Sequence, residues 1–359
     1  MKPAGEAKSD IYLHEFEPES MLSVPAHEVL KPRFPVIDAH NHLMEPYGGG
    51  WDKKPLVELL DILDQADVHT YVDLDGGWGE GILENHLDLF KAKQPERFAI
   101  FGGVDWNAWA DHGDRFGDWA AGRLRAQQQR GAQGLKIWKP FGLQVKDPQG
   151  NVARINDPRL DAIWEIAGEL HLPVIIHVAD PVAFFLPLDP TNERWEELHA
   201  HPDWHFPSPP FPGFARIIAD LADLVSRHPR TTFIGAHVGC YAENLAWVGA
   251  LLDRCLNFHV DIAGRIGELG RQPYTARRFF LKYADRILFG TDVGPDLEQY
   301  RLHYRFLETN DEYFNYSTSE IPGQGRWYVY GMYLPGEVLE KIYYRNAQKL
   351  IIQPKENHD

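Results

Sequence analysis

The stretch DPRLDAIWEIAGELHLPVIIHVADP, residues 157–181, contains one full repeat of the pattern that decides the fold. Asp157 can cap a helix and Pro158 suits its first turn, while Leu160, Ile163, Trp164 and Ala167 make one apolar stripe and Pro173 lies beyond the end. A short β-rich apolar run, PVIIHV (173–178), follows at once and ends on histidine. Outward from there, similar runs recur at 34–40, 69–75, 97–105, 132–138, 231–237, 257–263 and 286–292. Most end in Gly, Asp or His, as chain leaving a strand for a loop would. Helix candidates lie between them at 55–66, 82–93, 114–130, 158–171, 212–228, 242–254 and 270–283, with a last one at 335–349. Eight strands alternating with eight helices indicate βα units, and predict an α/β fold: a single-domain (β/α)8 TIM barrel over residues 34–352. An open doubly wound sheet is the alternative, but no GxGxxG follows the first strand and there is no P-loop.

Residues 1–33 read as an irregular extension around the barrel exterior, and 353–359 as a tail. Two connections, 179–211 after strand 5 and 293–334 after strand 8, are far longer than the usual βα loop and rich in aromatics and proline. Both must emerge at the C-terminal face of a barrel, so they are expected to wall and cover a pocket. Packing among themselves, or a subunit interface, is the competing use.

The 359 residues carry 36 Lys and Arg against 52 Asp and Glu, a formal charge of −16, with no basic run to meet a phosphate backbone. No apolar stretch approaches the roughly 18 residues of a membrane span, and MKPAGEAKSD lacks a signal core. The expectation is a soluble, cytoplasmic protein acting on a small molecule, with no nucleic acid or membrane partner. A homo-oligomer is compatible with this. The two cysteines, Cys240 and Cys255, form no CxxC and read as buried thiols.

Seventeen histidines are present, and those such as His86, His171, His228 and His358 are expected to be solvated on helix or loop surfaces. Four others end strands: His40 and His42 in DAHNHL, His177 in VIIHVAD and His237 in FIGAHVG. Residues i and i+2 of a strand share a face, so His40 and His42 project together at the barrel mouth. His177 approaches from across the barrel, and Asp292 in LFGTD arrives beside strand 1 because the barrel closes there. Three nitrogens and a carboxylate make a reasonable ligand set for Zn²⁺ with a position left for water. HxH alone is weak evidence, but HxH, His, His and Asp ending strands 1, 5, 6 and 8 is specific.

On DAHNHL (38–43), GLKIWKPFG (134–142), TTFIGAHVG (231–239), VDIAGR (260–265) and ILFGTD (287–292), together with residues 157–181, the chain resembles the amidohydrolase superfamily. It is similar in particular to the group that includes aminocarboxymuconate-semialdehyde and resorcylate-type decarboxylases. The resemblance covers residues 34–352. It implies one divalent metal held by His40, His42, His177 and Asp292, zinc first and manganese or another divalent ion second, with His237 near the reacting group. His237, with an ordinary pKa of about 6.5, suits proton transfer, and Asp292 is the second candidate for it. Lys136 resembles the lysine that becomes carboxylated and bridges two metals in dihydroorotase-like relatives. A second metal is less favoured than a plain Lys136 orienting a substrate carboxylate.

Trp138, Lys139 and Arg265 are further candidates for binding substrate, Arg265 because a guanidinium past a strand end can grip a carboxylate. Trp106 and Asp180 read rather as packing and a surface pair, and NERW (192–195) as a segment that reaches over the substrate. The leading expectation is hydrolysis of a small cyclic ester or amide by metal-activated water. Non-oxidative decarboxylation of an aromatic or muconate-like acid is second, and a catalytically inactive binding barrel a distant third.

Overall fold

The computed structural model describes residues 11–12, 15–16, 18–45 and 47–353; His358 and the tail from 354 onward lie outside them. Eight parallel strands form the centre: β1 (Val36–Asn41), β2 (Val68–Asp73), β3 (Phe98–Ile100), β4 (Leu135–Ile137), β5 (Val174–Ile176), β6 (Phe233–Gly235), β7 (Phe258–Asp261) and β8 (Ile287–Leu288). Regular ladders join β1 to β3 and β4 to β8. Two seams close the ring. Gly102 donates to the carbonyl of Gly134 and accepts from Lys136 N–H, both at 2.9 Å, while Ala39 N–H donates to Phe289 O at 2.9 Å and Asp292 N–H to His40 O at 3.0 Å. The barrel predicted from alternation is thus the observed fold. Its strands are shorter than the apolar runs, because the chain breaks from the ladder where the mouth begins. His237, Val238, Cys240 and Asp292 all adopt positive φ there.

The barrel interior is filled by Ile37, Ala39, Val72, Leu74, Ala99, Phe101, Ile175, Ile234, Ala236 and Leu288. Lys136 stands in register with Ile175, and Ile175 with Ile234, which sets the lysine in the same interior row. A second, larger core lies between the barrel and its helices. Those helices include α1 (Leu56–Gln65), α2 (Ile82–His86), α3 (Phe116–Arg130), α4 (Asp161–Glu169), α5 (Phe214–Arg227), α6 (Leu245–Arg254), α7 (Pro273–Lys282), α8 (Leu297–Glu308) and α9 (Gly336–Glu340). In α5 the buried Ile217, Ile218, Leu221, Leu224 and Val225 recur at helical spacing and form its inner face. Asp157 caps as expected, accepting from Arg159 N–H, but over a single tight turn that leads into α4.

Three expectations need correction. The connection after β8, read from sequence as one long loop, contains the helix α8. Asp296 caps that helix and its Tyr300, Tyr304 and Phe306 are fully buried in the core instead of lining a pocket. The stripe Leu297, Tyr300, Tyr304, Leu307 was visible in sequence but masked by the aromatic and proline content of the region. Secondly, His86 and His228 are buried, not solvated: Asp73 accepts from His86 Nδ1 at 2.6 Å, and His228 Nε2 lies 3.2 Å from Asp161. Thirdly, α6 begins at Leu245 because Asn244 caps it, and α7 begins at Pro273 after a separate short helix, Ile266–Arg271. Residues 18–33 run as irregular chain against the region after β8, where His27 N–H donates to Asp311 at 2.8 Å and Arg33 N–H to Glu308 at 3.0 Å. Among the described residues no helix is long and apolar enough to cross a membrane.

Candidate active site at the barrel mouth

Three strand-end imidazoles are each anchored through Nδ1. His40 donates to Asp261 Oδ2 at 2.8 Å, His42 to Asp75 Oδ1 at 2.7 Å, and His237 to the carbonyl of Ala263 at 2.8 Å. With the proton fixed on Nδ1, His40 and His237 keep their Nε2 lone pairs, while His42 Nε2 faces Asp292 Oδ1 at hydrogen-bond distance. These atoms converge on Asp292, whose Oδ1 is 3.1 Å from His42 and 3.8 Å from His40 and whose Oδ2 is 3.7 Å from His237. Ligand atoms of His40, His237 and Asp292 all lie within 4.8 Å of one another. His177 completes the cluster on the far side, its ring 4.4 Å from that of His237 and its Nε2 3.4 Å from Asp180. Imidazole nitrogens oriented around one carboxylate fit a divalent ion of the zinc or manganese type.

The electrostatics agree. Burial, with Lys136 nearby, holds His40 well below the usual imidazole range, and burial with His177 and Arg265 nearby does the same for His237. Both rings are therefore neutral at pH 7. Burial also lowers His177 to about 4, against the pull of Asp180. His42 is the exception: burial works against its charge, but Asp292 and Asp75 outweigh it and push the ring up to about 9. For Asp292 burial acts upward, yet the imidazoles of His40, His42 and His237 hold the carboxyl well below its ordinary value. Burial brings Lys136 down to about 8 although Asp292 and Asp261 oppose it. Its Nζ donates to His40 Nε2 at 3.1 Å, and it makes no ion pair among the described residues.

The other sequence candidates divide. Trp138 stacks on His42 with ring centres 4.9 Å apart. Arg265 is buried, donates to Gly264 O at 2.7 Å and forms no ion pair with a carboxylate among the described residues. Lys139 is instead neutralised by Asp180 at 2.7 Å, and Trp106 packs face to face on Phe141 at 4.0 Å. The NERW segment does not reach over the mouth with its charge. Arg194 turns inward, fully buried between Glu197 and Glu268, and donates to Gln324 O, so it ties together the chain after β5, β7 and β8.

Beside the cluster lies a cavity of about 490 Å³ lined by Glu197, His201 and Trp204 from the loop after β5 and by Tyr316 and Gln324 from that after β8. Gly264 borders it at φ +63, with His237 Nδ1 and Asp292 at ordinary contact distance from where a Cβ would stand. The left-handed φ, not a shortage of space, favours glycine there. The long connections do wall a pocket, Trp204 and Tyr316 among their aromatics.

Three acids escaped the sequence reading. Asp261 and Asp75 orient the histidines, and Asp38 accepts from Asn41 at 2.8 Å, Thr291 at 2.9 Å and Tyr300 at 2.8 Å, pinning the ends of β1 and β8 together. Burial raises the Asp38 carboxyl to about 6 despite these bonds. A signal existed: Asp38 precedes His40 by two positions, and Asp261 ends β7.

The family model for amidohydrolases matches residues 37–351. A 2,6-dihydroxybenzoate decarboxylase from Rhizobium is similar in structure, with 18% identity, a TM-score of 0.52, and 88% of this chain and 98% of that one covered. An uncharacterized TIM-barrel protein from Bordetella bronchiseptica matches at 14% identity and a TM-score of 0.52 over 88% and 98% of the two chains. At these identities the likeness shows the fold. Among curated proteins none matches the chain.

Proposed function

The chain belongs to the amidohydrolase family, and from the groups gathered at its barrel mouth we propose that it is a metal-dependent decarboxylase of a small aromatic or conjugated acid. This places decarboxylation ahead of the hydrolysis that the sequence favoured. The observation that carries it is Lys136, a buried ammonium beside His40 without a carboxylate partner among the described residues. An unpaired buried charge is costly, and a substrate that brings its own carboxylate removes that cost where a neutral ester or lactone does not. Arg265, buried and equally without a carboxylate, adds to the argument. The fold-level similarity to a 2,6-dihydroxybenzoate decarboxylase is consistent with it.

His40, His42, His177 and Asp292 would hold the ion, which when bound supplies a positive centre that grips an acidic substrate and draws charge from it. Lys136 holds the carboxylate against the mouth. Loss of carbon dioxide leaves an electron pair on carbon, and that carbon must take a proton. We assign that delivery to His237, supported by the bond from its Nδ1–H to the carbonyl of Ala263, which leaves Nε2 to face the cluster. Being neutral at rest, it first takes that proton from water or from an acidic hydroxyl of the substrate.

The test is product analysis of metal-replete protein on panels of aromatic acids and lactones. Carbon dioxide released in step with loss of an acid supports the reading, and Lys136→Met should raise KM for that acid. Ring-opened acid from a lactone, with no carbon dioxide from any acid, refutes it.

A further inference from the structure

Three aromatic side chains from three separate loops meet beside His42: Tyr47 after β1, Trp78 after β2 and Trp138 after β4. Trp138 stacks on His42, Trp78 meets Trp138 edge-on at 4.4 Å, and Tyr47 lies 5.6 Å from Trp78 and 5.9 Å from His42. The loop bearing Tyr47 is pressed onto the site, since a Cβ on Gly48 would fall 2.3 Å from the His42 carbonyl carbon. Yet Tyr47 and Trp78 are each 45% exposed, while Tyr71, Phe98 and Phe101 nearby in sequence are fully buried. Clustered aromatic faces left open to water beside a catalytic mouth are a binding surface more often than idle packing. A second observation points the same way: Trp138 Nε1 is shielded from solvent and has no hydrogen-bond partner among the described residues. A ligand that brings an acceptor would satisfy this donor.

We propose that Tyr47, Trp78 and Trp138 form the specificity subsite that receives the flat part of the acid, with Trp138 Nε1 donating to an oxygen acceptor carried on it. The proposal rests on the acid-substrate reading above and assigns the side chains that recognise the flat part of that acid. Lys136 Nζ lies 5.1 Å from the Trp138 ring, so a carboxylate held by the lysine and a ring attached directly to it fall side by side. A saturated acid of the same size offers neither a flat face nor a π-system to these rings.

Calorimetric titration of the metal-loaded protein with benzoate and with cyclohexanecarboxylate separates the two cases. Both are unreactive single-charge probes of similar size. Aromatic pairing predicts that benzoate binds about two- to twelve-fold more tightly. Trp78→Leu and Tyr47→Leu should each bring that ratio toward one with metal content and melting temperature unchanged, and Trp78→Phe should largely restore it. Equal affinities in the unaltered protein, a ratio untouched by either leucine variant, or no binding of either acid overturns the proposal. Its fate is separable from that of the decarboxylase reading, because absence of carbon dioxide release sinks the latter whatever the binding ratio shows.

Discussion

Asp261→Asn changes one atom type at the point where the site is most constrained. The Asp261 carboxylate is fully buried: Oδ1 accepts from the backbone N–H of His237 at 2.9 Å and of Ala263 at 3.1 Å, and Oδ2 accepts from His40 Nδ1 at 2.8 Å. In the variant the amide oxygen must keep the two backbone bonds, which turns the NH₂ toward His40. An amide nitrogen only donates, so His40 would have to move its proton to Nε2, the atom that already accepts from Lys136 at 3.1 Å and faces Asp292. One of these donor–donor contacts cannot be avoided, and the lone pair needed for metal is lost from Nε2 in the favoured tautomer. Loss of such an outer partner typically weakens metal binding by about 10–100-fold, or about 1.4–2.7 kcal/mol. Competition for zinc with a chromophoric chelator measures this directly, with circular dichroism as the check that the variant is folded. A zinc affinity within about twofold of the parent would show that His40 is not a ligand held by Asp261.

The remaining expectations are briefer. His237→Asn is compatible with the backbone, since asparagine tolerates the left-handed φ of 57° at this position; kcat should fall by about 10²–10⁴ while metal content stays near the parent. Loss of the metal would instead make His237 a ligand. Arg194→Ala strips the buried Glu268 and the half-buried Glu197 of their cation and should cost about 3–5 kcal/mol by urea unfolding. Adding Glu268→Gln should recover part of that, and a purely additive loss would refute the coupling. Burial, with Arg286 and Lys349 nearby, depresses His259 to about 3 against an ordinary 6.5. Its contribution is complete above 6.5 and is lost as pH falls, because the unfolded chain takes the proton first. About 2 kcal/mol should therefore disappear between pH 7 and pH 5, a slope that His259→Gln should flatten in denaturant titrations.

The barrel was legible in the chain because it rests on local period. Alternating short apolar runs and helical stripes specify strands and helices a few residues at a time, and the two-residue repeat of a strand is enough to put His40 and His42 on one face. The strand-end positions of His177, His237 and Asp292 followed from the same pattern. Helix α8 obeyed that logic too and was missed only because aromatic residues were read as loop. Other features had no local signature. Asp261 lies 221 residues from His40, and Asp75 lies 33 from His42, so which ring nitrogen faces the mouth was settled only when the barrel closed. The distinction between cations was equally hidden: Lys139 and Arg194 look as available in sequence as Lys136 and Arg265. Asp180 neutralises the first and Glu197 with Glu268 the second, whereas the other two remain without carboxylates among the described residues. Periodicity decides which face a side chain takes, because it is a property of one element; whether its charge is spent or free depends on partners that only tertiary packing brings within reach.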